Sequence, residues 1–260
     1  MQPLVSVIIP CYNHGIYLDE AVASIPFDQL PYQVELVVVN DGSTDLFTLE
    51  KLAALESAGI RVVHQQNQGL AAARNNGIAI ANGTYILPLD ADNKLHLNYF
   101  TKAVELLQKN TAIDIVYGNA RYFGNEEADW KSKPFNIARL LKGNYIDACA
   151  LYRKTVWEKA GGYDGQMPAM GHEDWEFWVH AFINGSRFYY LDELCFYYRL
   201  RDDAMRLSIT TETYKDNWFF IIRKHAAYFG TFFTDNYFKV EYLKTKRIKA
   251  AVNLLLGRIK

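Results

Sequence analysis

Two short acidic motifs are the part of this chain best suited to chemistry. Asp90-Ala91-Asp92 follows the apolar run Tyr85–Leu89, and Glu173-Asp174 lies at the predicted start of a helix. Two carboxylates at a strand end can hold a hard cation such as Mg²⁺ or Mn²⁺, which typically also binds substrate phosphates. A carboxylate in the second motif can take a proton from a hydroxyl group. Together they indicate a metal-held diphosphate and a general base.

Each motif also has a purely structural explanation. A solvated turn can contain Asp-x-Asp, and acidic residues are favoured at a helix N-terminus by the helix dipole. The metal interpretation is favoured for Asp90 and Asp92 because burying two carboxylates is costly unless a cation or donors compensate. Asp41, in Asp41-Gly42-Ser43, could cap the next helix or accept a hydrogen bond from a nucleotide base.

Alternating apolar runs predict the elements that must position these residues. The predicted strands are Leu4–Ile9, Val34–Val39, Ile60–His64, Tyr85–Leu89 and Ile113–Tyr117, and the helices between them are Ile16–Ile25, Asp45–Ala58, Gly69–Ala81 and His96–Lys109. Ser43 or Thr44 is predicted to cap the second helix. This order predicts an α/β fold with a mostly parallel central sheet flanked by helices.

Polar residues follow the predicted strands at Pro10–Asn13, Asp41–Ser43 and Asp90–Asp92. Because ligands of such sheets bind beyond the carboxyl ends of the strands, these three segments should converge on one crevice.

The second half of the chain has a looser pattern. Its predicted elements are a hairpin or loop region at Asn119–Asn144 with a short helix near Phe135–Leu141, a strand at Tyr145–Tyr152, a helix at Glu173–Asn184, a strand at Arg187–Arg199 and a largely helical Tyr214–Lys260. The last part, Lys239–Lys260, is basic around an apolar stripe. It is either a solvated helix packed on the domain or an interfacial helix attracted to anionic lipid.

Composition limits the partners and the compartment. The 260 residues carry a net charge of −1, so nucleic acid is not predicted as a partner. Cys11, Cys149 and Cys195 form an odd, scattered set that we expect to be buried and reduced, as in the cytoplasm. No apolar run reaches about 18 residues, so no transmembrane helix is predicted. A cytoplasmic protein is therefore expected, with peripheral contact at the inner face of the membrane if the basic C-terminal helix binds lipid.

Several segments in this order resemble the family 2 glycosyltransferases, which are inverting enzymes of the GT-A fold. They are Val5–Asn13, Val37–Asp45, Asn67–Gly77 and Ala150–Asp164, together with the two acidic motifs. The resemblance covers roughly residues 3–208. It implies a GT-A domain over residues 1–208, with a nucleotide-binding part at about 1–118 and an acceptor-binding part at about 119–208. Residues 209–260 would form a helical C-terminal extension.

The resemblance also implies site residues. The nucleotide-sugar site would contain Pro10, Tyr12, Asn13, Asp41, Arg74, Asp90, Ala91, Asp92, Arg199 and Arg201. Pro10, Tyr12 and Asp41 would hold the base, and Asp90 would contact the ribose. Asp92, with Asp90, would bind Mn²⁺ or Mg²⁺. Glu173 and Trp175 would bind the acceptor, although Trp175 also suits a core. Asp174 would deprotonate the acceptor hydroxyl, which attacks the anomeric carbon opposite the leaving nucleotide and inverts its configuration.

One position departs from the family pattern. Many relatives carry histidine at the end of a Tyr-Arg-x-His stretch, whereas this chain has Tyr198-Arg199-Leu200-Arg201. Arginine cannot ligate a cation but can fork onto phosphate oxygens. This predicts that Arg201, together with Arg199, stabilises the leaving diphosphate.

The expected activity is a hexosyl- or N-acetylhexosaminyl-transferase acting in polysaccharide or surface-glycan synthesis. UDP is the favoured donor nucleotide, with dTDP and GDP left open, and the acceptor is a hydroxyl of a glycan or a lipid-linked precursor. A non-catalytic nucleotide-sugar or glycan-binding module of the same fold is the alternative. A sugar nucleotidyltransferase is disfavoured, because the loop Pro10–His14 is not Gly-rich and lacks Arg and Lys.

Overall fold

A nine-stranded mixed sheet forms the centre of the computed structural model, which describes residues 4–27, 30–202, 209–231 and 234. The strands are β1 Val5–Cys11, β2 Val34–Asp41, β3 Arg61–Gln65, β4 Tyr85–Pro88, β5 Lys94–Leu95, β6 Ile115–Gly124, β7 Ala128–Trp130, β8 Leu151–Arg153 and β9 Phe188–Leu200. The helices are α1 Gly15–Ala23, α2 Leu46–Ser57, α3 Leu70–Ile80, α4 Leu97–Lys109, α5 Ile137–Leu140, α6 Lys154–Ala160, α7 Glu173–Ile183 and α8 Thr211–Lys224.

The sheet has the order β3-β2-β1-β4-β8-β6-β9-β5, with β7 paired to β6. The pairs β1–β2, β1–β4 and β2–β3 are parallel, as the βα pattern predicts. Beyond β4 the sheet becomes mixed: β8 is antiparallel to both β4 and β6, whereas β6 and β9 are parallel. The α/β fold class is confirmed, and the parallel part is the one that carries the predicted strand-end residues.

Alternation along β1 explains why helices cover both faces of the sheet. Val7 and Ile9 belong to one buried cluster with Leu18 of α1 and Phe100 of α4. On the opposite face, Ile8 lies against Gly77 of α3. Apolar burial on both faces accounts for the continuous β-branched run that predicted this strand.

The cap of α2 differs from the prediction. Asp45 is the N-cap, and its carboxylate accepts a hydrogen bond from Thr48 N at 2.8 Å. The predicted cap Ser43 is used elsewhere, because its Oγ accepts from Asn13 N at 3.1 Å. The helix therefore begins later in the chain than a cap at Ser43 or Thr44 would place it.

The predicted strand Tyr145–Tyr152 is also wrong over most of its length, since only Leu151–Arg153 pairs in the sheet. Two side chains, one just before this segment and one within it, accept from the backbone two residues ahead. Asn144 Oδ1 accepts from Ile146 N at 3.2 Å, and Asp147 Oδ1 accepts from Cys149 N at 2.8 Å. Such local bonds compete with the sheet ladder, so the segment forms a loop instead.

Several other elements of the second half follow the prediction, whereas the helix α6 was not predicted. The β6–β7 hairpin and α5 lie in the predicted hairpin region, and α7 and β9 match the predicted helix and strand. Cys11, Cys149 and Cys195 are free and buried. In the described ranges, no helix combines the length and apolar character that crossing a bilayer requires.

The chain separates into a unit Met1–Asn217 and a unit Trp218–Lys260. The nine-stranded sheet belongs to the first. The prediction for the basic segment Lys239–Lys260 lies outside the described residues.

Candidate active site

The carboxyl ends of β1, β2 and β4 open into one cavity with a volume of about 530 Å³, a size typical of small-molecule sites. Among the residues predicted to bind donor or acceptor, those on its wall are Pro10, Tyr12, Asp41, Arg74, Asp90, Ala91, Asp92, Glu173, Asp174, Arg199 and Arg201. The predicted convergence of the three strand ends is therefore present in the structure.

Asn13 is the predicted donor residue that does not line the cavity. It has a φ of 55°, and its Oδ1 accepts from Thr44 N at 2.8 Å and Asp45 N at 3.0 Å. These contacts join the β1–α1 loop to the β2–α2 loop. Asn13 therefore positions neighbouring residues such as Tyr12 and does not itself face the cavity.

The carboxylate of Asp41 organises the loop that precedes α3. Oδ1 accepts from Gln65 Nε2 at 2.7 Å and from Gln68 N at 2.8 Å, and Oδ2 accepts from Gly69 N at 2.9 Å. Asp41 is almost fully buried yet reaches the cavity wall. Asp41 thus both stabilises the turn and lines the cavity. Its contact with a nucleotide base stays a prediction.

Arg74 projects from α3 onto the first acidic motif. Its Nη2 donates to Asp90 Oδ1 at 2.8 Å, and its side chain is 3% exposed. Burial alone would lower the pKa of Arg74, but the negative charge of Asp90 raises it above the usual value. Arg74 is therefore a permanent cation at the centre of the cavity wall.

Arg201 and Arg199 surround Asp92. Arg201 Nε lies 3.0 Å from Asp92 Oδ2, and Arg199 Nε donates to the Asp92 carbonyl oxygen at 3.0 Å. Both guanidinium groups lie over the ring of Tyr17, at 4.7 Å for Arg199 and 5.1 Å for Arg201. The two arginines of the unusual Tyr-Arg-x-Arg stretch are therefore fixed beside the second aspartate of the motif.

The acidic motif fits a divalent cation. Asp90 and Asp92 each use one carboxylate oxygen in an arginine pair. Burial and the charge of Asp90 raise the pKa of Asp92 to about 6, although Arg201 and Arg199 oppose this. Each carboxylate keeps a second oxygen outside its arginine pair, and oxygen ligands of this type are those that Mg²⁺ and Mn²⁺ accept.

Asp174 lies in the first turn of α7 and faces the same cavity. Asn144 Nδ2 donates to its Oδ2 at 2.8 Å, and Trp175 N donates to its Oδ1 at 2.8 Å. Burial raises the pKa of Asp174 to about 7, with Arg74 opposing and Glu173 reinforcing the shift. A carboxylate with a pKa near the working pH is well suited to act as a general base.

The two residues predicted to bind the acceptor differ in the structure. Glu173 lines the cavity, and its carboxylate accepts from Gly171 N at 3.1 and 3.0 Å. Trp175 is fully buried, and its Nε1 donates to Leu140 O at 2.6 Å. The structure does not bring Trp175 to the cavity wall, because its ring packs in the core.

Several cavity residues were not predicted as site residues. They are His14, Tyr122, Trp130, Asn144, Tyr145, Asp147, Met170 and Tyr198. Tyr122 stacks on Trp130 at a ring-centroid distance of 6.1 Å, so the β6–β7 hairpin contributes a pair of stacked rings to the cavity wall. The sequence contains 18 Tyr, 15 Phe and 5 Trp, but their spacing alone does not identify these rings as cavity residues.

The fold and the cavity define a glycosyltransferase of the GT-A type. The family model described as "Glycosyl transferase family 2" matches residues 6–170, and the chain belongs to this family. The family and the enzyme class predicted from the sequence are thus confirmed.

Named relatives agree with this assignment. The glycosyltransferase GlyG of Streptococcus pneumoniae is 37% identical over 131 residues, which cover 50% of this chain and 42% of GlyG. The chain therefore spans less than half the length of that relative.

Two solved structures share the fold. S. aureus TarS 1-349 in complex with UDP-GlcNAc has a TM-score of 0.68 at 21% identity, covering 82% of this chain and 64% of that chain. The mannosyltransferase PcManGT from Pyrobaculum calidifontis, in complex with GDP-Man and Mn²⁺, has a TM-score of 0.59 at 18% identity, covering 80% and 60%.

Proposed function

We propose that this glycosyltransferase transfers a sugar from a UDP-sugar to a hydroxyl of a glycan or lipid-linked acceptor, with inversion and with Asp174 as the base. The observation that carries the proposal is the placement of Asp174, whose pKa is about 7, in the cavity that also holds Asp90 and Asp92. A TarS structure with UDP-GlcNAc and a PcManGT structure with GDP-Man support a nucleotide-sugar donor in this fold.

The donor is held from its nucleotide end. Pro10, Tyr12 and Asp41 at the strand ends accommodate the base, and Asp90 contacts the ribose. The diphosphate lies toward Arg199 and Arg201, whose guanidinium groups can fork onto phosphate oxygens. Asp92, with Asp90, would hold Mn²⁺ or Mg²⁺. The bound cation supplies charge stabilisation for the departing diphosphate.

The chemical step is one displacement. Asp174 takes the proton of the acceptor hydroxyl as its oxygen forms a bond to the anomeric carbon. The bond from that carbon to the diphosphate oxygen breaks on the opposite face, and the electron pair leaves with the nucleoside diphosphate. Asn144 holds the carboxylate of Asp174 for this transfer through its 2.8 Å hydrogen bond.

Thermal stabilisation by nucleotide-sugars tests the donor site. A ligand at 100 times its Kd should add about 2.7 kcal/mol to the free energy of unfolding. We expect a Mn²⁺-dependent increase in Tm with one UDP-sugar, loss of that increase in Asp92→Ala, and no loss in Asp19→Ala. Asp19 is a matched control because it is an exposed aspartate on α1, away from the cavity. Absence of any shift with every nucleotide-sugar would contradict the proposed donor site.

A further inference from the structure

Asp147 is a cavity residue to which the proposed mechanism gives no part. It belongs to the loop at residues 144–148, all of which line the cavity. Its Oδ1 accepts from Cys149 N at 2.8 Å, and no other described residue donates a hydrogen bond to its carboxyl group. One oxygen is therefore fixed by the loop, and the other is available to a ligand.

The surroundings of Asp147 are rich in acidic groups. The charges of Asp90 and Asp174 both act on its carboxyl, and Arg74 is the cation that opposes them. Arg74 already donates to Asp90. Burial, followed by the charge of Asp90, raises the pKa of Asp147 above its usual value. The oxygen of Asp147 that the loop leaves free can bond a neutral hydroxyl group without adding charge to this cluster.

Position limits what can reach Asp147. The transferred sugar must lie between the diphosphate, held near Asp90 and Asp92, and the base Asp174. Asp147 is within electrostatic range of both Asp90 and Asp174. The anionic diphosphate is a poor partner for a carboxyl among carboxylates, whereas a sugar hydroxyl is neutral and can both donate and accept.

We propose that Asp147 binds a hydroxyl of the transferred sugar and restricts the donor to neutral sugars, excluding sugars that carry a carboxylate. The proposal rests on the donor site proposed above. A hexuronic acid would bring one more negative charge among Asp90, Asp147 and Asp174. Arg74, the described cation that acts on Asp147, already pairs with Asp90. Rejection through repulsion of this kind is an effective source of specificity.

Isothermal titration calorimetry with Mn²⁺ tests the proposal. The probes are UDP, UDP-glucose, UDP-galactose, UDP-N-acetylglucosamine and UDP-glucuronate. The proteins are the wild type, Asp147→Ala, Asp147→Asn and the exposed control Asp19→Asn. In Asp147→Ala, we expect the best neutral UDP-sugar to bind about tenfold more weakly, while the Kd of UDP changes less than about twofold. In Asp147→Asn, we expect the Kd of UDP-glucuronate to come closer to that of the neutral UDP-sugars, because asparagine keeps the shape of aspartate and carries no negative charge.

Other results would overturn the proposal. One is equal weakening of UDP and UDP-sugar binding in Asp147→Ala, and another is wild-type preference for UDP-glucuronate. Unchanged binding of every sugar in both variants would do the same. If the wild type binds none of the probes, UDP included, the proposed donor site itself is contradicted. Failure of the Asp147 proposal and failure of the proposed donor site are therefore distinguishable. If Asp147→Ala does not fold, the isosteric Asp147→Asn tests the proposal. The deciding quantity is then the ratio of its Kd for UDP-glucuronate to its Kd for the neutral UDP-sugars, compared with the same ratio in the wild type.

Discussion

The Nε atom of Arg201 lies 3.0 Å from Oδ2 of Asp92, the carboxylate predicted to bind the metal. The arginine that stands where many relatives carry histidine is thus a partner of the carboxylate proposed to hold the metal. Its charge can act on the leaving diphosphate of the proposed mechanism. A metal and Arg201 would share the carboxylate of Asp92. Substitution of Arg201 should therefore change turnover and Mn²⁺ affinity separately.

Replacing Arg201 with alanine should lower turnover while Mn²⁺ binds more tightly. Turnover falls because one positive group no longer stabilises the leaving diphosphate, a loss of about 10²-fold. Mn²⁺ affinity rises because the competing cation at Asp92 is removed. Steady-state kinetics gives the first quantity, and calorimetric titration of Mn²⁺ into the donor-free protein gives the second.

Arg201→Lys provides the matched variant, since it keeps the charge but loses the planar fork. We expect its turnover to lie between those of the wild type and the alanine variant. Donor Kd should change less than kcat in both. Unchanged turnover in Arg201→Ala would remove Arg201 from the mechanism.

The activity should depend on the ionisation of Asp174. Because its pKa is about 7 and only the deprotonated form accepts a proton, turnover should rise with pH and level off above that value. Asp174→Asn should lower kcat by about 10²–10⁴-fold without preventing donor binding. A pH–rate profile in the wild type checks the first expectation. A flat profile from about pH 5.5 to 8.5 would argue against a carboxylate base with this raised pKa.

Asn144 should act through Asp174. Its hydrogen bond favours the charged carboxylate and lowers the pKa of Asp174, so Asn144→Ala should move the rising limb of the pH profile to higher pH. Turnover at neutral pH should fall roughly tenfold, a part of what a positioned base supplies. Asn125→Ala is the control, because Asn125 binds Asp202 away from the cavity wall. If turnover of Asn144→Ala falls while the rising limb of its pH–rate profile stays at the same pH, Asn144 has a structural role alone.

Gly42 allows two loops of the site to approach closely. A Cβ there would lie 2.6 Å from Asn67 N, and its φ of 75° already disfavours other residues. Gly59 has a φ of 84°, but a Cβ added there would meet nothing within 4 Å. Gly42→Ala should therefore destabilise the fold by about 1–3 kcal/mol more than Gly59→Ala. Urea unfolding of both variants measures the difference, and equal costs would show that the loops yield without strain.

Sequence reasoning was most successful where hydrophobic pattern and strand-end chemistry agree. The β-branched runs of β1 and β2 predicted buried parallel strands, and Asp41, Asp90 and Asp92 followed as groups at one sheet edge. Each of these aspartates lies at or directly after the end of its strand in the sequence. Because parallel strands end at the same edge of a sheet, the sequence is enough to predict that the aspartates lie close together.

Packing between distant segments was the part that sequence could not supply. Trp175 stands beside two acidic residues, but the helix turns its ring inward to Leu140. Asp147 lies in a stretch that is predicted as a strand, and Asn144 directly precedes it. Their side-chain bonds to Ile146 N and Cys149 N compete with the sheet ladder there. The position of Trp175 depends on packing with a distant segment, and the shape of this loop depends on local competition that residue type alone does not decide.

The loop at residues 144–148 has a consequence for how such a chain can change over time. The residues proposed to bind the nucleotide lie at the ends of parallel strands, where altering them would disturb the sheet. This loop contributes side chains to the same cavity without belonging to the strand ladder. Its half-buried residues Asn144, Tyr145 and Asp147 can therefore be changed without breaking a strand pairing, whereas Ile146 and Ala148 are buried in the core. The proposed nucleotide site is thus tied to the sheet, whereas part of the wall of the same cavity lies outside it. Directed evolution of new donor specificities should begin at the half-buried positions of that loop.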